Sequence, residues 1–166
     1  MSKYSNILRQ ADIFQGLSEE HLRMILDCGH TRKLDFNDRI FEENSASDEL
    51  YVIAEGEVEI EVDPVLVGDP SSPAANPCTI ATLRRGQCFG EIALVDQGIR
   101  SASAKSASPD TVLVVFPREK LMKVCNSHPN LGYRLMHNLA ADLALKIRST
   151  DLRLREHLLY SPRKDI

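Results

Sequence analysis

The chain has 166 residues, of which 43% are hydrophobic and 27% charged, and its formal net charge is -4. A chain of this length and composition builds one domain with a good core, or one domain plus an extension, and is neither disordered nor membranous. The acidic balance implies no general affinity for nucleic acid, and no apolar run approaches the roughly 20 residues of a membrane-spanning helix.

The opening Met1-Ser2-Lys3-Tyr4-Ser5-Asn6 has no apolar stretch, so a soluble, cytoplasmic protein without a membrane partner is expected. Cys28, Cys78, Cys88 and Cys125 are scattered without a Cys-x-x-Cys pair, which speaks against a zinc ribbon or a thioredoxin-like site. Reduced thiols are expected.

Residues 1–30 read as a helical element. Short helices are predicted over 6–10 and 18–28, the second opened by Ser18 as N-cap, with Leu22, Ile25 and Leu26 on one apolar face. Between them, residues 12–17 form a turn that carries two large apolar groups, Phe14 and Leu17, for the core. From about residue 31 to 117 the pattern changes to short strands: 39–41, 49–53, 57–62, 79–83, 101–107 and 111–116. Residues 57–62 alternate acidic and apolar, so one face is buried and the other wet. Gly56 suits the tight turn before that strand, Asn37, Asp38 and Asn44 tolerate left-handed turn positions, and Pro109-Asp110 joins the last two strands. Residues 63–77, with four prolines, form a loop. Many short strands at this spacing predict an antiparallel roll or barrel.

Helical periodicity returns over 118–166. One helix is predicted over 118–126, and Pro129 starts a long one reaching to about residue 158. Leu139, Leu143, Ile147, Leu154 and Leu158 form one stripe, and Leu145, Leu152 and Leu159 recur on another. Two stripes imply two packing partners, here the roll or its ligand and a second copy of the helix, with burial of both stripes within the one chain as the alternative.

The chemistry concentrates in Phe89-Gly90-Glu91-Ile92-Ala93-Leu94, followed by Gly98-Ile99-Arg100-Ser101-Ala102-Ser103. Gly90 lets the backbone approach a ligand, Glu91 accepts hydroxyl hydrogen bonds, and Ile92-Ala93-Leu94 can form one helical turn with N–H groups facing an anion. Arg100 supplies the counter-charge as a planar fork for two phosphate oxygens. A ligand with both sugar hydroxyls and a phosphate suits this set.

The segment resembles the phosphate-binding cassette of the cyclic nucleotide-binding domains, found in cAMP-dependent kinase regulatory subunits, gated channels and catabolite-activator-type regulators. The resemblance implies an α+β fold: an antiparallel double-stranded β-helix, or jelly-roll-like β-roll, with short N-terminal helices and a long C-terminal helix. It also implies that Glu91 takes the ribose 2'-hydroxyl, while Arg100 and the backbone around Gly90, Ile92 and Ala93 take the cyclic phosphate. Phe89, Ser101 and Ala102 complete the ligand-binding set. Many members carry Pro before the Arg, where this chain has Ile99, and Ser101 stands beside the phosphate and base. Catabolite-activator-type proteins also carry Ser there, which tilts the expected ligand to cAMP, with cGMP as the second choice. By the same resemblance a residue of the long helix caps the base, with Lys146, Ile147 and Thr150 as candidates, and the helix forms a homodimer.

Three other functions compete. A metal-dependent cupin needs strand histidines, and His21, His30, His128, His137 and His157 all lie outside residues 31–117. No Gly-x-Ser-x-Gly motif supports a hydrolase, so no enzyme activity, catalytic residue, metal or cofactor beyond the nucleotide is expected. A transcription factor would continue into a helix-turn-helix, for which residues 160–166 leave no room, so direct DNA binding is not expected. The output would then be an unidentified effector protein or the chain's own assembly. The last alternative is a scaffold or protein-interaction module of the same fold that binds no nucleotide.

Overall fold

Residues 50–54 and 112–116 are buried without interruption, so neither segment can turn a face to water. Strands of that kind must be covered on both sides. The computed structural model describes residues 4–46, 48–63, 77–96 and 98–160 and supplies both covers. The chain runs α1 (Ser5–Leu8), a 3-10 turn (Asp12–Phe14), α2 (Glu19–Cys28), β1 (His30–Leu34), β2 (Arg39–Phe41), β3 (Glu49–Glu55) and β4 (Glu57–Val62). It continues with β5 (Cys78–Arg84), β6 (Cys88–Phe89), α3 (Ile92–Val95), β7 (Ser103–Ser106), β8 (Thr111–Pro117), α4 (Arg118–Ser127) and α5 (Pro129–Tyr160).

Two four-stranded sheets result, in the orders β1-β8-β3-β6 and β2-β7-β4-β5. Every strand pairing is antiparallel. This is the expected α+β roll. The first sheet has helices on one side, where Leu50, Val52, Val114 and Phe116 meet Leu8, Phe14, Leu22, Leu121 and Leu135. Its other side faces the second sheet, where Tyr51, Ile53, Leu113 and Val115 meet Ile40, Val58 and Ala104. Successive residues of β3 and β8 therefore serve two different cores.

The turns follow the backbone stereochemistry that the sequence advertises. Ser18 Oγ accepts from the His21 N–H at 3.2 Å and caps α2. Asn37, Asn44 and Asp110 adopt positive φ of 67, 64 and 54°. Gly56 turns at φ 83°, where a Cβ would stand 2.5 Å from Thr111 Oγ1 and 2.6 Å from Ser108 Oγ. The sequence reading missed β1, whose His-Thr-Arg-Lys-Leu has no apolar alternation, and β6, which has only two residues. It placed α1 slightly late and began β7 two residues early. The expected loop over 63–77 falls almost wholly outside the described residues. Among the described residues, no helix is long and apolar enough to cross a membrane.

The long helix corrects one expectation. Leu131, Leu135 and Leu139 are buried, Leu143 is partly so, and then the stripe leaves the core: Ile147 is 63% exposed. Leu154 and Leu158 are exposed too. The reason is helical geometry: each step of four residues turns about 40° beyond a full turn, so a stripe spaced by fours rotates off the roll. The helix continues past the core with both apolar stripes in water.

On the second sheet, Glu57, Glu59 and Glu61 share the face of β4 opposite Val58 and Ile60. Arg84 pairs with Glu57 and Lys105 with Glu59, both across neighbouring strands. Glu61, almost covered, takes Arg39 at 3.0 Å and Lys105 at 2.6 Å. Burial works against its charge, but the bonds from Lys105 and Arg39 win and hold the carboxyl below its ordinary 4.5. A depressed folded pKa contributes stability above the unfolded value that disappears as pH falls through the folded one. Glu61→Gln should therefore cost about 1.5 to 3 kcal/mol at neutral pH, the range for a hydrogen bond to a charged group. Denaturant melts of the two proteins should converge as the pH drops below 4.5.

Candidate functional site

β6 ends at Phe89, and the chain turns through Gly90 at φ 76° into Glu91, which opens the four-residue α3. A helix this short leaves its first N–H groups outside its own hydrogen-bond ladder. Leu94 N–H donates to the Glu91 carbonyl at 3.0 Å, and Asp96 ends the turn by accepting from the Gly98 N–H at 2.9 Å. Asp96 is thus engaged locally and is not the partner of Arg100.

Arg100 is brought back to this corner by backbone pairing with residues 44–46. Asn44 N–H donates to the Arg100 carbonyl at 2.8 Å, Arg100 N–H to the Ser45 carbonyl at 2.9 Å, and Ala46 bridges Ile99. That pairing fixes the loop at Ile99.

The Arg100 side chain is buried, at 4% exposure. Its Nη2 donates to the Glu49 carbonyl at 3.0 Å and Nη1 to the Gly90 carbonyl at 3.4 Å. The guanidinium lies 4.1 Å from the Phe41 ring centroid and 5.5 Å from that of Tyr51. Nε is buried with no hydrogen-bond partner, and among the described residues no carboxylate lies within ion-pair distance. Burial lowers the pKa of this group, although an arginine stays cationic at neutral pH. Tyr51 is held in turn by its hydroxyl, which donates to Glu49 Oε2 at 2.6 Å.

Glu91 is also buried, at 6% exposure. Its carboxylate meets Lys146 of α5, with Nζ 2.8 Å from Oε1, and Lys146 also lies 2.9 Å from Asp142 Oδ2. Burial works against the ammonium, the Glu91 charge outweighs it, and the Lys146 pKa stands above the ordinary lysine value.

These parts surround one cavity of about 350 Å³. Phe89, Gly90, Glu91, Ile92, Arg100, Ser101 and Ala102 line it from the cassette, and Phe41, Ile60, Ile80 and Leu83 give an apolar wall. Ala93 lies within α3. From α5 come Lys146, Ser149, Thr150 and Arg153. Of the three base-capping candidates, Thr150 lines the cavity with its hydroxyl bonded to the Lys146 carbonyl at 2.9 Å. Lys146 lines it but is drawn to Glu91. Ile147 is exposed and is not part of the lining.

A family model for the cyclic nucleotide-binding domain matches residues 31–128. The chain belongs to that family. It is 31% identical to the Cyclic AMP receptor protein of Thermus thermophilus over 89% of this chain and 62% of that one. It is 30% identical to the human cGMP-dependent protein kinase 2 over 70% of this chain and 14% of the kinase. The chain thus spans about a seventh of the kinase and less than two thirds of the receptor. Among solved structures, the Thermus thermophilus catabolite activator protein superposes with a TM-score of 0.72 at 31% identity, covering 87% of this chain and 62% of that one. A cyclic nucleotide-binding domain from Methylobacillus flagellatus KT shares the fold at a TM-score of 0.77 and 24% identity, with 99% and 85% covered.

Sequence reasoning about this cyclic nucleotide-binding domain missed Ser149 and Arg153. A helical wheel contains the signal. At about 100° per residue, Lys146, Thr150 and Arg153 fall within about 40° of buried Leu139, whereas Ser149 and Ile147 lie about 80° away on opposite sides, of which only the Ser149 side meets the cavity. Phe41 and Tyr51 carried only a strand signal in the sequence, yet Tyr51 stacks on Phe89, Phe41 packs tilted against both rings, and the two cover the arginine.

Gly90 carries the tightest constraint. A Cβ there would stand 2.7 Å from Arg100 Nη1, 2.9 Å from the Glu49 carbonyl oxygen and 3.1 Å from Tyr51 Cδ2. Gly90→Ala should destabilise by about 1 to 2 kcal/mol from the left-handed backbone alone. Displacement of Arg100 adds to that, so a denaturant melt should show a loss at or above this range.

Proposed function

We propose that this domain is a non-catalytic sensor that binds a 3',5'-cyclic purine nucleotide in the cavity between cassette and α5. The observation that carries this reading is Arg100, a buried guanidinium with an unpartnered Nε and no carboxylate at ion-pair distance among the described residues. An uncompensated buried cation is unfavourable, and an anion with several acceptor oxygens relieves it. The start of α3 adds backbone N–H groups for the same phosphate. Glu91 at the other side of Gly90 serves the ribose hydroxyl, and the apolar wall from β4 and β5 suits the flat base. Ser101 and the likeness to the Thermus thermophilus Cyclic AMP receptor protein favour cAMP as the first ligand. Cys88, the thiol nearest the cassette, is pushed up to about 12 by burial and so offers no thiolate nucleophile.

Glu91 links the ligand to α5. The ribose hydroxyl and the Lys146 ammonium share one carboxylate, so nucleotide binding biases where α5 rests on the roll. That is a population shift between docked and free positions of α5, and an effector protein reads it. The exposed Leu145, Leu152 and Leu159, spaced by sevens, support a homodimer through the distal part of the same helix.

A thermal melt of ligand-stripped protein tests the core reading. Cyclic nucleotide at one hundred times its Kd adds about 2.7 kcal/mol, and the linear 5'-monophosphates should add far less. Arg100→Ala should abolish the shift. Absence of any shift in the unaltered protein would leave the scaffold reading. For assembly, light scattering should give a dimer that Leu152→Glu with Leu159→Glu converts to monomer; an unchanged mass would remove this interface.

A further inference from the structure

Away from the cavity, α5 carries a further side that neither the roll nor the stripe of Leu145, Leu152 and Leu159 uses. Tyr133, Ala140, Ile147 and Leu154 recur every seven residues, and His137, Ala144, Asp151 and Leu158 follow them by four. Alternate steps of four and three average close to the helical repeat, so the two rows make one continuous seam. Tyr133, Ile147, Leu154 and Leu158 are exposed along it. At about 100° per residue, Asp151 and Leu158 point about 100° away from Leu152 and Leu159, and Ile147 and Leu154 about 100° away from Lys146 and Arg153 on the cavity side. One flank of the seam is a row of arginines: Arg134, Arg148 and Arg155 each follow a seam residue by one position, and all three are exposed. Among the described residues no carboxylate lies within ion-pair distance of any of them. The other flank, with Met136, Leu143, Thr150 and His157, holds no acid.

We infer that this seam docks an amphipathic helix of another protein, one with acids along the flank that meets Arg134, Arg148 and Arg155 and a cation at the layer of Asp151. The charges reject self-pairing. A parallel second copy would set Asp151 against another Asp151 in the middle of the seam, and an antiparallel one would set the arginine flank beside itself. A lone polar residue in such a seam fixes register and partner, and flank charges select what lies opposite. The chain as a whole is acidic, at -4, so the arginine row is a local feature rather than a share of a basic surface. The seam also runs from the core-anchored half of α5, at Tyr133, to its distal half, at Leu158, so a helix docked along it meets both the fixed and the projecting part. The inference rests on the effector output proposed above and names the surface that the effector would read.

Fluorescence anisotropy of the full, ligand-free chain would use a synthetic helical peptide of about four heptads, with leucine at the seam positions, lysine at the layer of Asp151 and glutamate on both flanks so that it repels its own copies. This peptide should bind about tenfold or more tighter than the same peptide with lysine flanks, and Arg148→Glu with Arg155→Glu should reverse that preference. Both arginines are exposed, so the melting temperature should hardly change. Light scattering should give a higher mass for Asp151→Leu, in which the seam becomes self-complementary, and an unchanged mass for Leu154→Glu. No binding of the acidic peptide, no preference between the two peptides, or an unchanged mass for Asp151→Leu would each overturn the inference. A Leu154→Glu variant that dissociates would overturn it too, by giving the seam to a second copy. None of these results touches the nucleotide reading, whose melt is run without peptide. A protein that takes the peptide but no cyclic nucleotide would keep this surface and lose the sensor.

Discussion

The site is organised around one buried guanidinium. Arg100 loses water on entering the roll, and what replaces it is two backbone carbonyls and the faces of Phe41 and Tyr51. Neutral dipoles and ring faces hold a cation in place without cancelling its charge. Each replacement imposes a constraint elsewhere. The Gly90 carbonyl is in reach only because residue 90 turns at positive φ with no Cβ, and the Glu49 carbonyl because β3 runs directly beneath the corner. The two-sided burial of β3 thus serves the placement of the arginine as well as folding, since Tyr51 faces the arginine while Leu50 and Val52 face the helices.

Glu91 stands in the opposite electrostatic situation. Its charge is met by the Lys146 ammonium of α5, 55 positions away in the chain. The two ends of the anchor are therefore unequal: one belongs wholly to the roll, the other is shared with a helix. Under the proposed function, that asymmetry lets a ligand engaging both ends alter the helix contact and leave the arginine's frame alone. The helix itself changes character along its length. Its first half is part of the core through Leu131, Leu135 and Leu139, and its second half meets the roll through the polar face above the cavity.

How far the site was legible in the sequence depended on the range of the interactions. The cassette was readable because Gly90, Glu91, α3 and Arg100 are close in the chain and their residue types have local meanings: a left-handed turn, a carboxylate, a helical turn, a guanidinium. Strand alternation in β4 and the left-handed asparagines were readable for the same reason. Ile147 was misplaced because a stripe counted in fours ignores the 40° or so that each step adds. Ser149 and Arg153 escaped because a polar helix face carries no hydrophobic signal and reads as solvated until something is found opposite it.

The sequence by itself determined the local geometry and the family: the turns, the buried strands and the cassette, since these follow from backbone stereochemistry and short-range pattern. Only the tertiary structure decided who meets whom: Phe41 and Tyr51 over Arg100, Lys146 on Glu91, Arg153 on the edge strand β5. The physical reason is that those partners lie far apart in the chain, and which residues meet depends on how two sheets and a 32-residue helix pack, a choice no single segment encodes.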